Sequence, residues 1–416
     1  MKDPTIALHY GYNKNSEFTI HPPIYMTTAY EYQDTDHAAR LFNLEEEGNI
    51  YTRISNPTTR IFEKRISALE RGVDALATAS GMAAIFYSIS NLVKSGENVV
   101  IANKLYGGSI TLSTQTLKQF NIKAKFFDIE NLETLKEVID ENTKAILFES
   151  ISNPALAVAD FEKIVEIANE KGIITICDNT LATPYGVKPI EYGVDIVVHS
   201  ASKYIVGNGS AIAGCIIESS NAKEKLKNYE QFIKPDESYH GLVYLDKFEN
   251  PFIARARLAL LRDYGAVLSP FNAWLLINGL ETLHLRIQAH SENALKIAEY
   301  IANKGYKVNY PFLESNKNYK LAKKYLKYAG GILSFDLGNY EKAKNFVNNL
   351  KIFSLVTNIA DSKSLVTHPA STTHQQLSKE ELISAGVPEG LIRMSVGLED
   401  IEDLIEDIGG ALEKIG

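Results

Sequence analysis

Three groups of polar residues follow apolar, β-branched segments in the middle of the chain. Residues 149–153 follow the first segment, Asp178 and Asn179 follow the second, and residues 199–203 follow the third. In open α/β sheets, ligands bind beyond the carboxyl ends of the strands. If the three segments are neighbouring strands, we expect the polar side chains after them to converge on one site.

The residue types in these groups match the needs of pyridoxal 5′-phosphate (PLP). Lys203 can form a Schiff base with PLP, and Asp178 can keep the pyridine nitrogen protonated because a nearby carboxylate favours the cationic form. Ser200 and Ser202 can donate hydroxyl hydrogen bonds to the phosphate. Taken singly, each has a simpler explanation, since an aspartate after a strand is usually a helix N-cap and Ser-x-Ser-Lys is usually a loop. Their order and common position favour a cofactor site.

A second segment could bind the cofactor phosphate. Ser80 precedes an apolar helical stretch that runs to Val93. The free amide groups of Gly81 and Met82, together with the helix dipole, would favour an anion at this end. A plain helix start capped by Ser80 explains the segment equally well.

The elements that must position these residues are strands and crossover helices. Between about residues 60 and 220, apolar segments alternate with helical patterns, and residues 161–171 stop at Gly172 as a helix would. Segments that are apolar on both faces predict buried, mostly parallel strands. The predicted strands are residues 98–102, 123–127, 145–148, 173–177, 195–198 and 212–217. The fold class is therefore α/β.

The chain divides into three expected regions. Residues 1–55 are rich in Tyr, Pro and Thr without clear periodicity, which predicts an extended N-terminal arm. Residues 56–266 form the expected large PLP-binding α/β domain. A long helical stretch at 276–302, followed by short mixed elements, predicts a smaller C-terminal α+β domain over residues 267–416.

Composition argues against several other classes. Acidic residues outnumber basic ones by 51 to 43, so no nucleic-acid partner is expected. The first 15 residues lack the apolar core of a signal peptide, and no apolar run approaches membrane-spanning length, so no membrane association is expected and the predicted location is cytoplasmic. Cys177 and Cys215 lie in apolar segments and are predicted to be reduced core thiols.

Two further motifs do not predict a metal or dinucleotide site. His368 and His374 are six residues apart in a loop-like segment, and the other histidines lack metal-ligand spacing, so no metal site is predicted. The glycines from Gly207 to Gly214 precede a strand, whereas a dinucleotide-binding motif must follow one.

Six segments in order resemble the Cys/Met-metabolism family of PLP enzymes, which includes cystathionine γ-synthase, methionine γ-lyase and O-acetylhomoserine sulfhydrylase. The resemblance runs from about Pro22 to the last helix. The segments are YTRISNPT at 51–58, SGMA at 80–83, YGG at 106–108, DNT at 178–180, SASKY at 200–204 and RMSVG at 393–397. The resemblance implies an aspartate-aminotransferase-like fold (fold type I) with a mostly parallel central sheet.

The resemblance also implies roles around the cofactor. Lys203 would carry PLP, Asp178 would pair with the pyridine nitrogen, and Asn153 would face the phenolic oxygen of the ring. The implied phosphate ligands are Gly81, Met82, Ser200 and Ser202. Ser202 stands where threonine is common in the family, but both residues supply a hydroxyl.

Further implied roles concern the substrate and the neighbouring subunit. Tyr106 would stack on the cofactor ring and could assist proton movement. Arg393 would grip the substrate α-carboxylate with two hydrogen bonds, and Ser354 is assigned with it to substrate binding. Tyr51 and Arg53 would reach the phosphate of a neighbouring subunit, which implies shared sites in a homotetramer built from dimers.

Three runs resemble the O-acetylhomoserine sulfhydrylase branch of the family. They are TNIADSKSL at 357–365, THPASTTHQQL at 367–377 and DESYHG at 236–241. Synthases and lyases usually carry Gly-Gly-x-Glu-Ser where this chain has residues 359–363, and lyases commonly have a cysteine at the position of Gly108. Ala360 departs from the glycine that is frequent in the branch.

The branch implies replacement of the acetate of O-acetylhomoserine by sulfide or a small thiol, which gives homocysteine for methionine biosynthesis. Cystathionine γ-synthase is the first alternative, methionine γ-lyase the second, and a non-catalytic PLP-fold binding protein belongs to a different class. Three sulfur sources stay open: free sulfide, methanethiol and a protein thiocarboxylate. The acyl group on homoserine is open as well.

Overall fold

Two β-sheets organise the computed structural model, which describes residues 1–372 and 388–415. The strands in the described residues are β1 Asp74–Thr78, β2 Asn98–Ala102, β3 Lys123–Phe127, β4 Thr143–Glu149, β5 Ile174–Asp178, β6 Ile196–His199, β7 Gly214–Glu218, β8 Val308–Asn309, β9 Ile332–Asp336, β10 Ser354–Leu355, β11 Leu365–Thr367 and β12 Leu391–Ser395.

The larger sheet has seven strands in the order β1-β7-β6-β5-β4-β2-β3. Strand β7 runs antiparallel to β1 and β6, and the remaining pairs are parallel. Most strand residues are fully buried, as expected where helices cover both faces of a parallel sheet. The predicted α/β class with a mostly parallel sheet is confirmed.

Helices connect and cover the strands. The α-helices in the described residues are α1 Asp3–His9, α2 Thr35–Phe42, α3 Pro57–Glu70, α4 Gly81–Ser90, α5 Gly107–Thr111, α6 Glu133–Val138, α7 Phe161–Glu170, α8 Thr183–Gly186, α9 Ala222–Leu226, α10 Glu230–Ile233, α11 Tyr244–Lys247, α12 Pro251–Arg255, α13 Arg262–Tyr264, α14 Pro270–Asn303, α15 Tyr319–Tyr325, α16 Tyr340–Asn349 and α17 Ile401–Glu413. Shorter π or 3₁₀ turns cover Leu112–Thr116, Leu117–Phe120, Pro189–Tyr192, Glu237–Tyr239, Ala256–Leu261 and Pro369–Ser371.

The smaller sheet has five strands in the order β10-β11-β12-β9-β8 and is mainly antiparallel. Its central strand β12 carries Arg393, which pairs with Ser334 on β9 and with Thr367 on β11. The 34-residue helix α14 precedes this sheet in the chain and begins at Pro270, capped by the side chain of Ser269. The smaller α+β domain of the predicted fold class is therefore present.

The first 55 residues contain two short helices, α1 and α2, in an otherwise irregular segment. Ile6 and Ala7 on α1 are buried. Phe18, Ile20 and Met26 lie further along and are strongly exposed. The segment is therefore anchored at its beginning and leaves apolar side chains in solvent beyond that point.

Further observations concern the cysteines, membrane-spanning helices and metal sites. Cys177 and Cys215 are both buried and unpaired, which confirms the predicted core thiols. Among the described residues, no helix is long and apolar enough to cross a membrane. Within the same ranges, no cluster of three or more His, Cys, Asp or Glu side chains could hold a metal ion. His374 lies outside them.

Candidate active site

The polar groups predicted to converge lie at the carboxyl ends of three adjacent parallel strands. Glu149 ends β4, Asp178 ends β5 and His199 ends β6, and Glu149 is directly paired with Asp178 across the sheet. The loops after these strands carry Asn153 and Lys203. The edge of the sheet therefore assembles the predicted groups, as the strand-end rule requires.

Asp178 is held in place by the residue two positions after it. Its Oδ1 atom accepts hydrogen bonds from the Thr180 N–H at 3.0 Å and from the Thr180 hydroxyl at 2.5 Å. The Thr180 hydroxyl in turn accepts the N–H of Ser200 at 2.8 Å. Burial raises the pKa of Asp178, whereas the Thr180 hydrogen bonds favour its charged form. A cationic partner such as a protonated pyridine nitrogen would offset the cost of that buried charge.

The beginning of α4 lies directly against the loop after β6. The Ser80 hydroxyl caps the helix by accepting the N–H of Ala83 at 3.1 Å. A Cβ atom added to Gly81 would lie 2.6 Å from the Ser200 Cβ, so only glycine fits at this approach. The sequence left a helix cap by Ser80 and an anion site at the start of α4 as alternatives. The two are compatible in this structure. The first N–H groups of a helix lack intrahelical acceptors, so Gly81 and Met82 offer donors beside the Ser200 hydroxyl.

Ser202 differs from the other predicted phosphate ligand on its loop. Its hydroxyl accepts the N–H of Ala213 at 2.8 Å and donates to the Ala213 carbonyl at 3.1 Å. The single hydroxyl hydrogen is therefore directed to the backbone in this structure. A phosphate contact by Ser202 would require this hydrogen to turn away from Ala213.

Lys203 lies in the loop after β6 of the large sheet and contacts a loop of the smaller sheet. Its Nζ donates to the side-chain oxygen of Asn358, in the segment between β10 and β11. Burial and the positive charge of Arg393 lower the pKa of the Lys203 amine. A lowered pKa increases the neutral fraction of the amine, which is the form that attacks a carbonyl carbon.

Arg393 projects from β12 into the same region and is only 8% exposed. One guanidinium nitrogen donates to the Asn153 side-chain oxygen at 3.4 Å, and another donates to the Thr357 carbonyl at 2.9 Å and to the Thr367 hydroxyl at 3.3 Å. Burial lowers its pKa to about 10, so it stays cationic at neutral pH. No carboxylate of residues 1–372 or 388–415 forms an ion pair with it, which suits an anionic substrate group.

Tyr106 precedes α5 and is half exposed, so its ring is accessible to a ligand. Its phenol is close enough to oppose the lowering of the Arg393 pKa. A Cβ atom added to Gly108 would lie 2.4 Å from the Tyr106 ring. Glycine at position 108 therefore permits this ring orientation.

No hydrogen bond within the described residues joins Tyr51, Arg53 or Ser354 to this group. Tyr51 is 41% exposed, and the Arg53 guanidinium lies 5.3 Å from the centre of its ring. Ser354 lies exposed on the edge strand β10, where it pairs with Leu365. Residues 373–377 of the branch-like run lie outside the described ranges.

Sequence reasoning assigned no role to Glu149, Thr180 or Asn358, although each lies in a segment it singled out. In the structure, Thr180 donates a hydrogen bond to Asp178, and Asn358 accepts one from Lys203. Glu149 accepts the backbone N–H groups of Tyr106 and Asn153. The strand-end position of Glu149 was a usable signal. The other two contacts depend on loop geometry.

Comparison with known proteins agrees with this geometry. Residues 4–413 match the family of Cys/Met metabolism PLP-dependent enzymes. The chain belongs to this family, and PLP is its cofactor.

Similar proteins cover the chain almost completely. An O-acetyl-L-homoserine sulfhydrylase from Leptospira meyeri is 46% identical over 100% of this chain and 97% of its own. A homocysteine synthase from Schizosaccharomyces pombe is also 46% identical, over 98% of this chain and 97% of its own.

Two solved structures extend the comparison. A Campylobacter jejuni protein described as an O-acetylhomoserine (thiol)-lyase, with a pyridoxyl-lysine phosphate at position 205, is 49% identical. Its TM-score is 0.96, over 99% of this chain and 100% of its own. The metB protein of Corynebacterium glutamicum is 30% identical, with a TM-score of 0.85 over 100% of this chain and 99% of its own.

Proposed function

We propose that the protein is an O-acetylhomoserine sulfhydrylase, a transferase that replaces the γ-acetate of O-acetylhomoserine with sulfide in methionine biosynthesis. The carbon–oxygen bond at Cγ breaks, a carbon–sulfur bond forms at the same carbon, and acetate and homocysteine are released. The observation that carries the proposal is the partly buried Lys203 amine in the same site as the buried Arg393 guanidinium, whose charge helps to lower the amine pKa. Full-length similarity to sulfhydrylases supports the choice of reaction.

Bound PLP supplies an electron sink for negative charge that develops next to the substrate amino group. Asp178 would hold a proton on the pyridine nitrogen, in the orientation set by Thr180. The phosphate would be held by the Gly81 and Met82 amides and the Ser200 and Ser202 hydroxyls.

The remaining residues act on the amino acid and on the ring. The Lys203 Nζ would carry the cofactor and, once freed by the substrate amine, would remove and return protons at Cα and Cβ. Arg393 would bind the α-carboxylate with two hydrogen bonds, with Ser354 assigned to the same substrate. Tyr106 would stack on the ring whose phenolic oxygen Asn153 faces.

The sulfur nucleophile is proposed to enter beside the Asn358 segment, because that segment contacts Lys203 directly. Sulfide and small thiols carry no second carboxylate. Cysteine would bring one, and Arg393 is already assigned to the first substrate. Burying that carboxylate without its own cation costs several kcal/mol or leaves cysteine poorly placed.

We therefore expect kcat/KM for sulfide to be at least about a hundredfold higher than kcat/KM for cysteine at saturating O-acetylhomoserine. The measurement follows homocysteine from sulfide and cystathionine from cysteine. Comparable efficiencies would make the protein a cystathionine γ-synthase. Rapid release of 2-oxobutanoate from methionine would make it a lyase. That role is disfavoured because lyases commonly carry a cysteine at position 108, where an added Cβ would lie 2.4 Å from the Tyr106 ring.

The assembly is proposed to be a homotetramer built from dimers, in a cytoplasmic protein. The exposed Phe18, Ile20 and Met26 of the N-terminal arm support it, since several large apolar side chains exposed in one short segment favour a contact surface. Tyr51 and Arg53 would then complete the phosphate site of a neighbouring subunit. The domain boundaries at 55/56 and 266/267 are proposed with it.

Mixing two inactive variants tests the shared site. If Arg53→Ala and Lys203→Ala subunits exchange, hybrid dimers contain one site with both wild-type residues, and statistical mixing makes about one site in four intact. We expect turnover to recover toward that fraction. Subunit exchange is verified with differently tagged chains. Exchanged oligomers without activity would contradict the shared site.

A further inference from the structure

Glu149 joins two segments that flank the proposed cofactor site. It ends β4, is only 7% exposed, and uses both carboxylate oxygens. Its Oε1 accepts the N–H of Tyr106 at 2.7 Å, and its Oε2 accepts the N–H of Asn153 at 2.9 Å. One side chain therefore fixes the start of α5 and the loop after β4 at the same time.

The two anchored residues carry separate parts of the site. Tyr106 is the proposed stacking residue, and the Asn153 side chain accepts a hydrogen bond from Arg393 at 3.4 Å. A shift of the Glu149 carboxylate would therefore alter both the proposed stacking of Tyr106 on the cofactor ring and the surroundings of Arg393. A glutamine has a single acceptor oxygen, so it can retain only one of the two backbone hydrogen bonds.

A carboxylate at this position is costly. Burial and the neighbouring Asp178 raise the pKa of Glu149 to about 8. The two strand-end carboxyl groups are paired across the sheet, so each disfavours charge on the other. Residues kept at such a cost are often tied to function.

We propose that Glu149 is a positioning residue that sets Tyr106 and Asn153 relative to the cofactor ring. The proposal rests on the PLP site described above and is independent of which sulfur nucleophile the enzyme uses.

The chain offers a matched control in Glu218. This side chain ends β7, is buried, and accepts the N–H groups of Phe252 at 3.2 Å and Ile253 at 2.9 Å. Its pKa is also raised to about 8 by burial. Because β7 is antiparallel to β6, Glu218 pairs with the first residue of β6. It therefore lies at the opposite end of the strands from Asp178.

The experiment compares Glu149→Gln with Glu218→Gln in the PLP-loaded enzyme. Thermal unfolding reports stability, and the visible circular dichroism of the bound cofactor reports how the protein orients the ring without substrate. We expect both variants to lose stability, whereas only Glu149→Gln changes the visible signal and lowers kcat by about tenfold, the scale of one lost hydrogen bond. Because Arg393 is affected through Asn153, KM for the acyl donor should rise as well.

Glu149→Asp gives a second measurement. It keeps the carboxylate but is one methylene shorter, so it cannot hold both amides without movement, and the same changes are expected. A folded Glu149→Gln or Glu149→Asp enzyme with wild-type visible signal and kcat would overturn the proposal. If both variants fail to fold while Glu218→Gln folds, Glu149 is a structural residue and the proposal is also overturned. A wild-type enzyme without a lysine-bound cofactor signal would instead contradict the proposed function.

Discussion

Replacing Lys203 with alanine should abolish turnover and remove the visible absorption band of the bound cofactor. In the proposed mechanism the same nitrogen is both the covalent anchor and the proton carrier, so we expect kcat to fall by about four orders of magnitude. The loss should not reflect unfolding, because the Lys203 side chain contributes one hydrogen bond, to Asn358. Absorbance spectra and steady-state kinetics on the purified variant make the measurement.

Lys188 provides the control for this substitution. Its amine is also largely buried, but it pairs with Asp3 at 2.8 Å and donates to the Pro184 carbonyl at 2.9 Å. Lys188→Ala should reduce stability and retain the band and the turnover. A Lys203→Ala enzyme that kept both properties would show that the cofactor is bound elsewhere.

Asp178→Asn should retain some cofactor and lose most activity, by about two to three orders of magnitude in kcat. The amide oxygen can still accept the Thr180 hydrogen bonds, so the loop after β5 should hold its shape. A neutral amide cannot stabilise the protonated pyridine nitrogen as a carboxylate does. Single-turnover and steady-state assays with O-acetylhomoserine and sulfide measure the effect.

The comparison variant is Asp195→Asn, at a second buried aspartate in the same sheet. Asp195 accepts hydrogen bonds from Thr175 and pairs with Lys225 at 2.7 Å, just before β6 begins. This substitution should destabilise the fold and leave kcat nearly unchanged. Near-normal turnover by Asp178→Asn would mean that Asp178 serves only to shape its loop.

Much of the large sheet could be predicted because its strands are buried on both faces. The prediction matched the bounds of β2 and β3, and four further strands were found with ends displaced by one or two residues. Strand β1 was missed because its sequence, DALAT, is short and rich in alanine, so it lacks the β-branched signal. Helix α2 was missed as well, in a segment where tyrosine, proline and threonine obscured the periodicity.

The site was predictable as a set of residues but not as a set of contacts. Strand-end position was sufficient to select Asp178 and Lys203, because parallel strands present their carboxyl ends on one side. The hydrogen bond between Arg393 and Asn153 joins residues 240 positions apart, and no local pattern indicates it.

Two contacts show why side-chain direction had to come from the structure. The sequence cannot show that the Ser202 hydroxyl is engaged by Ala213, nor that Glu149 accepts two backbone N–H groups. Both depend on how loops close after the strands.

We propose that PLP is bound to Lys203 at the carboxyl ends of the parallel strands of the large sheet. Borohydride converts a Schiff base into a stable amine, so reduction of the wild-type enzyme followed by peptide mass spectrometry locates the attachment directly. We expect the pyridoxyl phosphate mass on the peptide that contains Lys203, in near-stoichiometric amount. Modification of a different lysine, or a reduced protein carrying no cofactor mass, would contradict it.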